Sequence, residues 1–180
     1  WKLETKGERW WTGETLSAAI GQSFLLATPI QIACMIGSIF HGYLVKPQII
    51  ANQPIEKKNI EILTSTRHFL QECMLAATTH GTAQRVNKKG VLTIFAKTGT
   101  AQVKTRAKNK DPEEEKLNRE EMEHAWFVSY FYTDHSQPLV MVMLLEHVGR
   151  SIHAVKVARK FFIQYLKYDK AQHAKKLSRD

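Results

Sequence analysis

Apolar residues return at three- and four-residue steps in the segment after Thr28, and this period is typical of a helix with one buried side. The Thr28 hydroxyl can cap the helix, Pro29 suits its first turn, and Gln31 can complete a capping box. We expect the helix to end at Gly42. Its apolar positions are Ile32, Ala33, Ile36, Ile39 and Phe40. The pattern predicts a helix that belongs to the core of the protein.

A second apolar stripe of the same period lies between Thr66 and Thr79, and Gly81 stands just beyond its end. The members of this stripe are Phe69, Leu70, Cys73, Met74 and Ala77. We expect a second helix with this face buried. The segment from Lys46 to Lys58 is interpreted as an extended connection between the two helices.

Beyond Gly90 the composition shifts toward β-branched and aromatic residues, which predicts strands. Three segments have this character: Val91 to Phe95 leading into Lys97, Trp126 to Phe131, and Leu139 to Leu145. Residues 134–138, between the last two segments, suit a hairpin loop. The economical arrangement is a sheet of three antiparallel strands.

Ser151 is a candidate N-cap for a last helix, because the apolar positions after it again follow the helical period. These positions are Val155, Ala158, Phe161, Phe162, Tyr165 and Leu166. We expect this helix to lie across the sheet. Helices, then strands, then a closing helix indicate an α+β fold, and 180 residues with 43% hydrophobic content can enclose one core.

The formal charge of +9 is compatible with an anionic partner, because clustered Lys and Arg attract polyanions. Much of the excess lies near the end, and we interpret residues 169–180 as a basic tail, a solvated helix end. Residues 104–123 form a second charged run between predicted strands, and we expect an exposed insertion there. Since no zinc-finger, RNP or helix-turn-helix signature is present, we expect no nucleic acid as a partner.

The chain starts at Trp1 with a polar, tryptophan-rich lead before its first recognisable helix, and we treat it as a piece of a longer polypeptide. The longest apolar stretch, Phe24 to Phe40, is interrupted by polar residues and is shorter than the roughly 20 residues of a membrane span. We therefore expect any membrane anchor to lie outside this piece.

The two cysteines, Cys34 and Cys73, both lie in apolar helical patterns, where a small buried thiol is common. They lack the CxxC spacing of a metal or redox motif. We expect two structural thiols, and neither a cofactor nor a metal site.

One short motif carries chemistry: Lys97, Thr98, Gly99 and Thr100 directly follow the first predicted strand. An acyl-transferring site needs a fixed cation, hydroxyl donors and backbone N–H groups on a rigid strand, to hold a carboxylate and stabilise an oxyanion. Glycine allows a substrate to approach the backbone closely. A match of this length arises by chance in about one in ten chains of this size. The strands and the helix around it therefore support the interpretation.

Several further segments accompany this motif. They are Gly13 to Leu16, Ile20 to Gln22, Ala27 to Gln31, Gly81 to Ala83, Ala101 with Gln102, and His124 to Val128. Together with the K-T-G element they resemble the transpeptidase domain of the elongation-type class B penicillin-binding proteins, the penicillin-binding protein 2 family. The resemblance extends to about Leu166. It implies that residues 1–168 are the C-terminal part of a penicillin-binding transpeptidase fold whose remaining strands are missing here.

The resemblance implies a D,D-transpeptidase that cross-links peptidoglycan stem peptides through an acyl-serine intermediate and is acylated by β-lactams. The implied catalytic residues are Lys97, Thr98, Gly99 and Thr100, and the implied substrate-binding residues are Thr98, Thr100 and Ala101. The lysine would support the proton network around the serine. The hydroxyls would hold the substrate carboxylate, and the Thr100 N–H would form one arm of the oxyanion hole.

The same family implies a cellular setting. The expected partners are stem peptides, β-lactams, the N-terminal remainder of the polypeptide and a membrane glycan polymerase of the elongation machinery. The expected location is the periplasmic face of the bacterial inner membrane, through an N-terminal anchor that this piece lacks.

The sequence departs from the family pattern at the nucleophile. No serine starts an S-x-x-K or an S-x-N motif, at any of the positions Ser17, Ser23, Ser38, Ser65, Ser129, Ser136, Ser151 and Ser178. We therefore expect the piece to be inactive alone. We also expect the outer edge of the last strand to remain unpaired unless another segment covers it.

Other chemically versatile residues are interpreted as structural. His80, His124 and His147 lack metal-ligand spacing, although His124 is the best placed of them for the rim of the site. Glu146 ends an otherwise apolar strand and could be a lone catalytic carboxylate, but the family that this chain resembles has an acid there without a catalytic role, so we interpret it as structural. Trp126 and Phe127 are expected to pack within the sheet rather than to bind substrate.

Three other functions stay open at this point. The first is a noncatalytic binder of cell-wall peptides or β-lactams. The second is a serine β-lactamase or β-lactam sensor, which shares the K-T-G element. The third is a basic interaction module whose tail binds an anionic surface, with an affinity that falls steeply with salt.

Overall fold

The computed structural model describes residues 1–87, 91–103 and 118–177. Its helices and strands are α1 (Lys2–Lys6), α2 (Thr12–Ala19), α3 (Pro29–His41), β1 (Tyr43–Val45), β2 (Lys57–Asn59), α4 (Thr64–Thr79), β3 (Thr93–Ala101), β4 (His124–Tyr132), β5 (Leu139–Leu145) and α5 (Ile152–Leu177). The predicted α+β fold is confirmed.

The central sheet has the order β3-β4-β5, and both neighbouring pairs are antiparallel. Its register places Lys97 opposite Val128 and Thr98 opposite Phe127. The three predicted antiparallel strands are therefore confirmed. Within the described ranges no strand pairs with the outer edge of β5, as we expected from the missing part of the fold.

One face of the sheet packs on α5. Because side chains alternate along a strand, Ala96, Phe127 and Phe131 share this face. Phe127 and Phe162 are 0% exposed, and their rings meet in a T-shaped contact with centroids 6.2 Å apart. Burying one such ring contributes about 1.5–3 kcal/mol. The predicted buried stripe of the last helix is confirmed except at Phe161, which is 39% exposed.

The opposite face packs on α3 and α4. Ile36 and Met74 reach the sheet there and meet Val128 and Tyr130. The ring of Phe40 stacks on Tyr130 with a centroid distance of 3.8 Å. The side chains of this face thus alternate with those of the α5 face along β4.

The start and end of α3 agree with the sequence. The Thr28 N–H donates to the Gln31 side chain at 2.8 Å, and the Gln31 N–H donates to the Thr28 hydroxyl at 3.4 Å. The helix ends at Gly42, whose φ of 82° is a left-handed conformation that glycine adopts readily. The predicted capping box and helix end are confirmed.

Several predictions about the helical part are wrong. The lead before Thr28 contains two helices, α1 and α2. The expected connection from Lys46 to Lys58 contains no helix, and its last two residues start β2, which pairs with β1. On α4, Phe69 is 63% exposed and Cys73 is also exposed. The apolar stripe of α4 is wider than the sheet and the neighbouring helix can cover, so only part of it is buried.

The last helix is longer than its apolar stripe. It continues without a break through residue 169 to Leu177, and the Thr133 hydroxyl donates to the Asp169 carboxylate at 2.8 Å. The rings of His135 and His173 stack with a centroid distance of 4.0 Å. Part of the predicted basic tail is therefore packed on the hairpin between β4 and β5.

Most of the predicted charged insertion, residues 104–117, lies outside the described residues. The rest of it contains a short 3-10 helix, Arg119–Glu121. Among the helices of the described ranges, none combines the length and the apolar character needed to cross a bilayer.

Candidate active site

The K-T-G residues lie in the second half of β3, the outer strand of the sheet. Alternation along the strand places Thr98 and Thr100 on the α5 face, with Phe127 and Ala125 opposite them. Lys97 and Gly99 start from the other face. The two threonine hydroxyls and the lysine therefore start on opposite faces of the sheet. The free edge of β3 is the place where both can be reached.

The Thr100 N–H points to this free edge. Gln22 lies there: its Nε2 donates to the Thr100 carbonyl oxygen at 2.7 Å, and its Oε1 accepts from the Gln102 N–H at 3.3 Å. In an antiparallel pair the N–H and C=O of one residue are directed to the same side. Since the Thr100 carbonyl faces away from β4, so does its N–H. No hydrogen bond to this N–H is found among the described residues.

The Lys97 ammonium folds over the same edge. Its side chain is exposed, and Nζ donates to the Thr98 carbonyl oxygen at 2.6 Å. This carbonyl and the Thr100 N–H are consecutive groups along the edge. A cation and a free N–H donor therefore stand side by side, which is a suitable arrangement for an anionic group.

The Thr98 hydroxyl is held by a second threonine. Thr98 is 6% exposed, and its Oγ1 lies 2.9 Å from Oγ1 of Thr82. Thr82 follows Gly81, where an added Cβ would lie 2.7 Å from the Ala77 Cα in the last turn of α4. Only glycine fits so close to a helix backbone. The Gly81 to Ala83 segment thus brings a hydroxyl to the motif, a role that the sequence alone did not reveal.

The Thr100 hydroxyl accepts a hydrogen bond from the Ser151 N–H at 3.2 Å. Ser151 directly precedes α5 at Ile152, which is the place predicted for an N-cap. Because the oxygen accepts from the backbone, the hydroxyl hydrogen stays available for a substrate carboxylate. The start of α5 therefore orients one donor of the site, and sequence reasoning missed this contact.

Gly99 is not required by packing in the described residues. A Cβ at this position would lie 3.4 Å from the Trp126 Cβ, an ordinary contact, and its φ is not positive. The predicted reason for this glycine, close approach of a substrate to the strand, stays a prediction.

The end of the motif adjoins two histidines. Ala101 pairs with His124, whose Nδ1 accepts from the His147 N–H at 3.1 Å. Their rings meet edge to face with centroids 4.5 Å apart. These contacts connect the start of β4 to the turn after β5, so His124 stands beside the motif and has a structural contact as well.

The remaining candidates lie apart from the motif or in the core. His80 is exposed at the end of α4, with Nδ1 3.0 Å from the Thr79 hydroxyl. Glu146 is exposed just after β5. Phe127 is buried in the core, as predicted, and Trp126 is partly buried on the other face.

Two cavities formed by described residues lie away from the motif. One, of about 290 Å³, lies between the β4–β5 hairpin and the end of α5. The other, of about 470 Å³, lies between α3 and the β1–β2 pair. Neither is lined by residues 97–101. Among the described strands, none pairs with the β3 edge that carries the motif.

Comparison with known proteins agrees with this geometry. The family model described as penicillin-binding protein transpeptidase domain matches residues 2–166. Peptidoglycan D,D-transpeptidase MrdA of Acinetobacter baumannii is 29% identical over 179 residues, covering 92% of this chain and 26% of that protein. The MrdA protein of Haemophilus influenzae is 27% identical over 188 residues, covering 92% and 28%. The chain thus spans little more than a quarter of the length of these relatives.

Solved structures give the same result. A complex between penicillin-binding protein 2 and MreC from Helicobacter pylori matches with a TM-score of 0.69 and 26% identity, over 93% of this chain and 30% of that one. Penicillin-binding protein A from Mycobacterium tuberculosis shares the fold, with a TM-score of 0.59 at 19% identity. The resemblance to penicillin-binding protein 2 is confirmed. The chain belongs to the penicillin-binding protein transpeptidase family.

Proposed function

We propose that this chain forms the K-T-G side of a serine-type D,D-transpeptidase site, which cross-links peptidoglycan stem peptides and is acylated by β-lactams. Residues outside these 180 supply the serine nucleophile, its lysine partner and the facing wall of the cleft. In this proposal the 180 residues alone are inactive.

One observation supports the proposal above all others: the Thr100 N–H, which has no partner among the described residues, lies next to the carbonyl that binds the Lys97 ammonium, on the free edge of β3. When a serine oxygen attacks a peptide carbonyl, negative charge develops on the carbonyl oxygen. A backbone N–H held on a rigid strand stabilises that charge without reorganising. The edge of β3 therefore suits the transition state of acyl transfer.

The other residues of the motif would hold the ground state of the substrate. The Thr100 hydroxyl can donate to a carboxylate while its oxygen accepts from the Ser151 N–H. The Thr98 hydroxyl shares a hydrogen bond with Thr82 and can accept or donate in it. Lys97 adds a positive charge, which attracts the carboxylate to the same edge. Ala101, the last residue of β3, continues this edge beside the bound peptide.

A labelled penicillin tests the assignment. The full-length polypeptide is expected to form a stable covalent adduct, and the 180-residue chain is expected to form none. Lys97→Ala in the full-length polypeptide should lower the rate of adduct formation by about a hundredfold or more, because the positive charge on the edge of β3 is lost. Circular dichroism should show an unchanged fold.

Lys46→Ala is the matched control, since Lys46 is exposed and pairs with Glu56 far from the motif. Its adduct formation should equal that of the wild type. An adduct on the 180-residue chain would refute the missing nucleophile, and an unimpaired Lys97→Ala variant would refute the role of the motif. Rapid turnover of the antibiotic would indicate a β-lactamase, and binding without an adduct would indicate a noncatalytic binder.

The proposed setting follows the relatives. We propose that the polypeptide acts at the periplasmic face of the inner membrane with a glycan polymerase of the elongation machinery. A structural relative was solved in complex with MreC, which supports a protein partner for this group. Copurification of the full-length polypeptide with a membrane glycan polymerase would support this partner. Recovery of the full-length polypeptide in the cytoplasm would contradict this location.

A further inference from the structure

We propose that Gln22 is a positioning residue of this site, which orients the Thr100 N–H by bridging the backbone at the end of β3. The inference deepens the proposed function and rests on it. Gln22 belongs to a segment that the sequence singled out without a role, and it is separated from Thr100 by 78 positions.

The backbone of Gln22 is fixed by the way α2 ends. The Gln22 N–H donates to the Ser17 carbonyl at 2.9 Å, and the Gly21 N–H donates to the Ala18 carbonyl at 2.9 Å. Gly21 has a φ of 78°, so the helix ends in a Schellman motif with a left-handed glycine. The side chain after this glycine therefore leaves the helix in a defined direction.

The helix α2 is itself held in place at its start. The Glu14 carboxylate accepts from the Trp11 N–H at 2.8 Å and pairs with the buried Lys2 ammonium. The Lys2 ammonium lowers the pKa of Glu14 through their hydrogen bond, so the carboxylate is charged at neutral pH. Gln22 thus extends from a helix whose two ends are both tied.

The side-chain amide of Gln22 makes the hydrogen bonds that a residue of a neighbouring strand would make with the edge of β3. Its NH₂ donates to the Thr100 carbonyl and its oxygen accepts from the Gln102 N–H, so one planar group satisfies two backbone groups on the free edge. The bridge lies directly beyond the Thr100 N–H and does not occupy it. The edge is therefore fixed next to the Thr100 N–H, and no described residue bonds to that N–H.

This bridge matters for catalysis because an oxyanion donor must be held where charge develops. Thr100 is held at its carbonyl by Gln22 and at its hydroxyl by the Ser151 N–H, and its own N–H has no partner in the part of the chain that the structure describes. A misplacement of about 1 Å in such a site can cost about a hundredfold in rate. Loss of the bridge should therefore lower the rate of acylation more than the binding of the antibiotic.

The first arm of the test measures the bridge itself. Amide hydrogen exchange of the full-length polypeptide, resolved at Gln102, should become about tenfold faster in Gln22→Ala, because a hydrogen-bonded amide exchanges only on local opening. Gln22→Glu keeps an oxygen for the Gln102 N–H but loses the donor to Thr100. Its Gln102 exchange should stay slow. Unchanged exchange in Gln22→Ala would overturn the inference.

The second arm measures acylation by a chromogenic β-lactam. Gln22→Ala and Gln22→Glu should both lower the acylation rate constant by about tenfold to a hundredfold, with a noncovalent dissociation constant within about twofold of the wild type. Gln71→Ala is the control, because Gln71 makes the same type of bond, to the Ile39 carbonyl at 2.9 Å, away from β3. This control should change neither measurement.

The outcomes separate the two claims. Faster exchange at Gln102 with an unchanged acylation rate constant would overturn the positioning role and leave the transpeptidase site intact. A wild-type polypeptide that forms no adduct would refute the proposed function and with it the positioning role of Gln22 in acylation. The exchange arm would then still decide whether the bridge exists.

Discussion

The two faces of the central sheet are closed to very different degrees. On the α5 face, Phe127 and Phe162 are fully buried, and α5 exposes Val157 and Phe161 only on its outer side. On the other face, α3 buries Ile36 but exposes Ile30 and Met35, and α4 exposes Phe69. A helix that is apolar on most sides is expected to be covered on most sides. The α5 face encloses fully buried rings, whereas the helices of the α3 face present a larger exposed apolar surface.

The largest expected effect on stability is at the α5 face. Phe162→Ala removes a ring that is 0% exposed and packs on Phe127 and Phe131. The free energy of unfolding should fall by about 3–5 kcal/mol, because the transfer and cavity costs add. Chemical denaturation of the variant measures this. A loss below about 1 kcal/mol would mean that the α5 face is no better packed than the other.

The next effect lies where α4 ends and brings Thr82 to the motif. Gly81→Ala places a Cβ against the Ala77 backbone and should lower the free energy of unfolding by about 1–3 kcal/mol, as overpacking does. Gly13→Ala is the control, because a Cβ there meets nothing within 4 Å. Thermal unfolding of both variants should show the difference, and equal stability would contradict the close approach.

A smaller effect should appear at alkaline pH on the α3 face. Burial, with the nearby Tyr132 as the second cause, raises the pKa of Tyr130 above its usual range. Below the ordinary phenol pKa of about 10 the effect on stability is absent. Above it the unfolded chain loses this proton first, so stability falls until the raised pKa is passed. Tyr130→Phe should show a smaller alkaline loss in denaturation curves, and an equal loss would contradict the burial.

The smallest effect is expected on the exposed side of α4. Phe69→Ser should change the free energy of unfolding by at most about 0.5 kcal/mol in the 180-residue chain, since the ring is 63% exposed. In the full-length polypeptide the same change should cost more if another segment covers this surface. Denaturation of both forms with and without the substitution sharpens the contrast between the two faces. Equal small effects in both forms would mean that the surface stays open.

The long periodic segments of the fold could be predicted from sequence because their periods report which side is buried. The capping residues of α3 and the alternation in β4 are local signals of this kind. The helices α1 and α2 were missed because they are short. These two helices are connected by contacts such as the Lys2–Glu14 ion pair, whose partners are 12 positions apart in sequence. A short helix has little propensity of its own.

The errors on α4 have a different cause. Phe69 and Cys73 follow the same period as Met74, yet only Met74 is buried. A period identifies the apolar side of a helix, but the width of the buried part depends on the neighbouring elements. The local pattern of apolar residues does not identify those neighbouring elements.

At the site, the motif could be predicted and its supports could not. Lys97 to Thr100 are adjacent in sequence, so the motif could be recognised there, and the predicted strands and helix around it supported acyl transfer. Thr82, Gln22 and Ser151 approach the motif only through the tertiary fold, across 16, 78 and 51 positions. No local spacing contains such contacts. Their contacts with the motif depend on the position of the free edge of β3 in the folded chain.

The length of α5 allows one helix to contact both ends of the sheet. The helix starts next to the Ser151 N–H that holds Thr100, and it carries His173 to the hairpin at the opposite end of the sheet. At about 1.5 Å per residue, the distance from Ile152 to His173 is about 32 Å along the helix axis. One helix therefore connects the Thr100 end of the sheet to the His135 hairpin, so both ends of the sheet share a single element.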